Sequence, residues 1–91
     1  MGLVMNADEV KDTIGGLTFI EIGFLNKLAN LVDRAGYPTS TREFGVCARL
    51  NQKKLIHAYG RNGRLTRWQL DEAIFRHGRD ILRQMGGQDG R

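Results

Sequence analysis

Residues 39–65 read TSTREFGVCARLNQKKLIHAYGRNGRL, and how this stretch folds decides the class of the whole chain. It opens as helices open. Ser40 stands three residues before Glu43, so its hydroxyl can take an orphan N–H of the first turn while the carboxylate reaches back toward the cap, starting a helix at about residue 41. Phe44, Cys47, Ala48, Leu55 and Tyr59 then fall on one helical face, which predicts a continuous or kinked helix over 41–59. Asn51 interrupts that face. Because asparagine favours helix caps, the alternative is two short helices that meet at a turn just before it. Either way the stretch is helical, and Gly60 and Gly63 close it in an arginine-bearing turn.

The same punctuation recurs on both sides. Thr18 precedes Glu21 and Thr66 precedes Gln69 at capping-box spacing, with Leu17/Ile22 and Leu65/Leu70 placed as hydrophobic staples. Helices are therefore expected to start at about 19 and 67, and a shorter one over 7–14 to end at Gly15-Gly16. Gly36 and Pro38 separate the second helix, 19–35, from the third. No segment alternates as a strand, so the expected fold is all-α: one four-helix domain over 1–91, with the fourth helix over 67–85 and a tail at 86–91.

Composition bounds the function from below. A chain of 91 residues with 41% hydrophobic and 26% charged residues forms one small globular domain, of a size that association often helps to stabilise. The lone Cys47 fits a cytoplasmic setting and offers no intramolecular disulfide; no long apolar run indicates a membrane span or leader. His57 and His77 are far apart and Cys47 has no cysteine partner, so no metal ligand set, no cofactor motif and no catalytic pair is expected; the chain is not read as an enzyme.

The second helix suggests an interface. Ile20, Leu31, Phe24, Ala35, Leu28, Val32, Leu25, Ala29 and Ile22 span an arc of about 200°, wider than one buried stripe. Such a helix packs against its own domain and against either a second layer or another copy of the chain. The segment ADEVKDTIGGLTFIEIGFLNKLANLVDRAG resembles the N-terminal helical hairpin of the bacterial ribosomal stalk protein, which dimerises. That resemblance supports what the arc and the small size suggest, a homodimer joined through residues 7–35, with Ile22, Leu25, Leu28, Ala29 and Val32 of the arc expected at the interface.

Charge is divided unevenly. Residues 1–40 carry three Lys/Arg and five Asp/Glu, whereas residues 41–91 carry eleven and five, net −2 against +6. Counted from Thr41, the basic region 41–85 begins with a segment that resembles a helix-turn-helix, with Phe44, Gly45, Ala48, Leu50 and Leu55 at its packing positions. Arg49 stands where that motif usually has glycine in its turn. The resemblance implies a dimeric binder of duplex DNA, a transcriptional regulator. Gln52, Lys53, Lys54 and His57 would meet the groove and Arg61, Arg64 and Arg67 the backbone. Residues 63–70 are also similar to the second half of an EF-hand, but Ala58, Gly60 and Gln69 supply too few oxygens for calcium, which leaves at most a metal-free helix–loop–helix. On the fourth helix, Arg76, Arg79 and Arg83 form a basic back that is expected to be a solvated face. The alternative function is an interaction module or inhibitor that binds an acidic partner protein; RNA binding is disfavoured because the aromatic residues fall on apparent core faces.

Overall fold

A computed structural model describes residues 5–87. The first two helices form as their caps dictate. Helix α1 (Ala7–Gly15) opens on Asn6 and Glu9, and α2 (Phe19–Ala29) on Thr18 and Glu21, each a reciprocal capping box. Helix α2 is shorter than its apolar pattern. It ends at Asn30, and the chain passes through a single 3₁₀ turn, Val32–Arg34, in which Asp33 and Arg34 both take positive φ (60° and 57°). This turn reverses the chain into a two-residue strand, β1 (Ala35–Gly36).

Helix α3 (Thr41–Gln52) starts where expected, with the Ser40 hydroxyl accepting the Glu43 N–H; the Glu43 carboxylate reaches past the cap to Thr39. It then stops, and the expected architecture fails here. In place of a second helix or a longer single one, residues 53–55 turn and the chain runs out as β2 (Ile56–Asn62) and back as β3 (Leu65–Leu70). The helix-turn-helix and helix–loop–helix arrangements are both replaced by a β-hairpin. The fold is α+β, with four helices and a three-stranded antiparallel sheet of order β1-β3-β2 among the described residues, not all-α.

The hairpin leaves little trace in the sequence because β2 is exposed along nearly its whole length and β3 is half-buried at all but its last residue, so neither strand alternates in polarity. Its turn obeys local rules. Gly63 (φ 65°) and Arg64 link the paired Asn62 and Leu65, with positive φ at the first central position only, the signature of a type II′ turn. Thr66 lies within β3 and caps nothing; Asp71 caps the last helix, its Oδ2 accepting from the N–H groups of Ala73 and Ile74. Helix α4 (Glu72–Gly87) runs through Gly86 without ending at Met85; of the expected tail, residues 88–91 lie outside the described residues.

One core joins these pieces. Val10 and Ile14 of α1, Ile22, Phe24, Leu25 and Leu28 of α2, Val46, Cys47 and Leu50 of α3, Ile74 and Leu82 of α4, and Leu55, Ile56 and Leu70 at the hairpin base form a continuous cluster. Helices α1 and α4 meet closely at Gly78, where a Cβ would lie 2.6 Å from Ile14 Cδ1 and 2.9 Å from Val10 Cγ1. Ile22, Leu25 and Leu28, expected at a dimer interface, are thus inside the chain's own core; Ala29 is half-buried and Val32 is 79% exposed on the 3₁₀ turn. The inner part of the α2 arc packs against α4, α3 and the sheet, while Ile20, Leu31 and Val32 at its margins stay exposed. No helix among the described residues is long and apolar enough to cross a membrane.

Candidate functional site

The expected binding residues divide among four places. Gln52 and Lys53 close α3, Lys54 lies in the turn that follows, and His57 is the second residue of β2, while Arg61, Arg64 and Arg67 occupy the outer half of the hairpin. Between Phe44 and Leu70 the chain has no Asp or Glu but six Lys/Arg (Arg49, Lys53, Lys54, Arg61, Arg64 and Arg67). This acid-free segment is the body of α3 and the whole hairpin, side by side.

Two of the six cations are committed internally. Glu21, only 1% exposed, receives the Thr18 N–H at 2.9 Å on Oε1, and on Oε2 meets Arg49 Nε at 3.3 Å and Lys53 Nζ at 3.4 Å. Burial pushes its carboxyl up, but the Thr18 N–H, the Arg49 bond and the Lys53 charge outweigh it, so the group stays below the ordinary carboxylate range. Lys53 is therefore a tie between α3 and α2 before it is a ligand contact. His57 is tied in a similar way, its Nε2 at 2.7 Å from Oδ1 of Asp71, the residue that caps α4. Among the described residues, Lys54, Arg61, Arg64 and Arg67 enter no ion pair.

The register of the hairpin sorts its arginines. His57 pairs with Gln69 and Ala58 with Trp68, but Gly60 pairs with Arg67, leaving Tyr59 as the extra residue of a β-bulge. Without the bulge, Arg61 would follow His57 and Tyr59 onto the same face. With it, Arg61 stands opposite Thr66, on the Ala58/Trp68 face that looks onto α3. Arg67 stays on the other face, where its guanidinium lies 5.1 Å from the Tyr59 ring centre and Nη2 donates to Val32 O at 3.5 Å. Gln69 Nε2 donates to Asp33 O at 3.0 Å and Arg34 Nε to Leu70 O at 3.3 Å, so β3 and the positive-φ turn clamp each other.

A groove of about 440 Å³ runs between α3 and β3. Phe44, Cys47, Ala48, Asn51 and Gln52 of α3 line one wall and Thr66 and Trp68 of β3 the other, with Pro38 and Arg64 completing the lining. Burial, with some help from the Glu43 charge, pushes the Cys47 thiol up to about 11, so it is a neutral filler there at physiological pH. Phe44 is 51% exposed, and Tyr59 is exposed as well. Of the residues expected from sequence to bind, Gln52 and Arg64 reach this groove; Trp68 lines it too, as do Phe44, Asn51 and Thr66, of which packing or capping is expected from sequence. The Phe44, Ala48, Gln52 spacing of four marked that stripe, but only the hairpin position shows that solvent, not core, lies over it. The comparisons find no match for this chain among family models, curated proteins or solved structures.

Proposed function

We propose that this chain binds nucleic acid, duplex DNA first, through the exposed side of α3 and the adjoining β2–β3 hairpin. One observation carries the reading: 27 consecutive residues, 44–70, have a net charge of +6 and build two adjacent elements, while the rest of the chain is net −2. An α-helix and a two-stranded ribbon are the two elements that fit the DNA major groove, and cations outside internal ion pairs gain most from releasing condensed counterions. Lys54, Arg61, Arg64 and Arg67 are assigned to phosphates. Gln52, whose amide can both donate and accept, is assigned to a base edge.

Titration of a duplex at several salt concentrations tests this. Changing Arg61, Arg64 and Arg67 together to alanine is expected to weaken every duplex and to lower the magnitude of the log–log salt slope by roughly 2–3. No binding at low salt by the folded protein, or an unchanged slope in the triple variant, would refute the assignment. Selectivity among duplex sequences, lost in Gln52→Ala, is the outcome expected of a regulator, whereas uniform affinity would leave a sequence-independent binder.

A further inference from the structure

We propose that the groove between α3 and β3 is a pocket for an unpaired nucleobase, stacked against Phe44 and Trp68 with its phosphate toward Arg64. The proposal rests on the nucleic-acid reading above and names the part of the ligand that this groove takes. At about 440 Å³ the groove has the volume of a small-ligand site. Each wall supplies one aromatic ring, Phe44 from α3 and Trp68 from β3, and ring stacking suits any base because every base has a π-face. The polar groups fit a base edge. Gln52 presents an amide donor and acceptor, Thr66 a hydroxyl, and Asn51, whose Nδ2 already donates to Ile56 O at 3.0 Å, keeps its carbonyl oxygen as an acceptor.

Charge narrows the ligand class further. Among the described residues no carboxylate lines the groove, Arg64 is part of its lining, and the hairpin register puts Arg61 on the same side, so an anionic sugar–phosphate is favoured there. A purely aliphatic occupant would cover the Asn51, Gln52 and Thr66 side chains without satisfying them, which costs free energy that a base edge returns. The Tyr59 bulge acquires a purpose in this arrangement, since it turns Arg61 toward the groove.

Trp68 is the only tryptophan in the chain, so its fluorescence reports on the groove alone. The full chain would be titrated with an oligodeoxyadenylate strand and with an abasic sugar–phosphate strand of equal length. Saturable quenching by the first and not the second is expected, with Phe44→Ala weakening adenylate binding by roughly 5- to 100-fold at an unchanged thermal midpoint. Trp68→Phe, which keeps a ring, should retain affinity within a few-fold when binding is read from a labelled strand. Equal affinity for the two strands, indifferent to Phe44, would overturn the pocket while leaving the basic surface intact; no binding of any strand or duplex would remove both. Displacement of the adenylate by an acidic peptide with an aromatic anchor, together with tighter binding of that peptide, would make the groove a protein-docking site instead.

Discussion

Glu21 serves two elements at once, and only one of its roles is written locally. As the third residue of α2 it completes the Thr18 capping box, which the Thr-x-x-Glu spacing announces; its other oxygen takes Arg49 and Lys53 from α3, residues 28 and 32 positions away. The pH consequence has a definite sign. Its folded carboxyl holds a proton more weakly than the ordinary value of 4.5, so its stabilisation is complete above that value and is lost as pH falls through the depressed folded value. Glu43 behaves alike: burial raises its carboxyl, but the Thr39 backbone and hydroxyl and Lys27 lower it further. Stability is therefore expected to fall in acid below about pH 4.5. In Glu21→Gln the acid-sensitive part should shrink while the neutral-pH midpoint drops, a pair of outcomes that thermal melts across pH would check.

At the scale of elements, the end of α3 is the decisive event. The Leu55 N–H bonds Leu50 O and the Lys54 N–H bonds Asn51 O, both at 3.0 Å, which is the paired pattern of a Schellman cap with Leu50 and Leu55 buried against the core. Glycine usually holds the left-handed position of that cap. Here it is Lys54, with φ 64°, so the signal that would have announced the helix end is missing from the sequence. Lys54→Gly is expected to relieve the left-handed strain, a gain only partly offset by glycine's greater unfolded entropy. The thermal midpoint should rise by about 2–6 °C, from roughly 0.5–1 kcal/mol. Duplex affinity should fall slightly in the same variant, through loss of one cation. A lowered midpoint would show that the lysine side chain contributes to the cap.

For the whole molecule, Ile22, Leu25 and Leu28, three of the five residues expected at a dimer interface, belong to the core of the domain. Leu28 is fully buried, and an added Cβ at Gly36 of β1 would lie 3.3 Å from its Cδ2. Leu28→Asp is therefore expected to unfold the chain and not merely to separate copies of it, because an unpaired carboxylate in that site costs several kcal/mol, much of the stability of a small domain. Circular dichroism and sedimentation on the same sample distinguish the two outcomes: a folded monomer from a dimeric parent would restore α2 as an interface.

The sequence by itself determined the features that depend on neighbours three or four positions apart: the starts of α1, α2 and α3, the amphipathic character of α4, and the concentration of basic residues after position 40. Thr66 shows the limit of that information. Its spacing to Gln69 is as good a capping box as that of Thr18 to Glu21, yet it lies in a strand, because Thr, Trp and Leu side chains suit a hairpin and Asp71 caps the helix one turn later. Tertiary structure decided the hairpin, the Tyr59 bulge, the partners of Glu21 and the groove over Phe44. Each depends on pairing residues far apart in the chain, and the energy of a strand pair or a buried ion pair exists only after the backbone has brought them together.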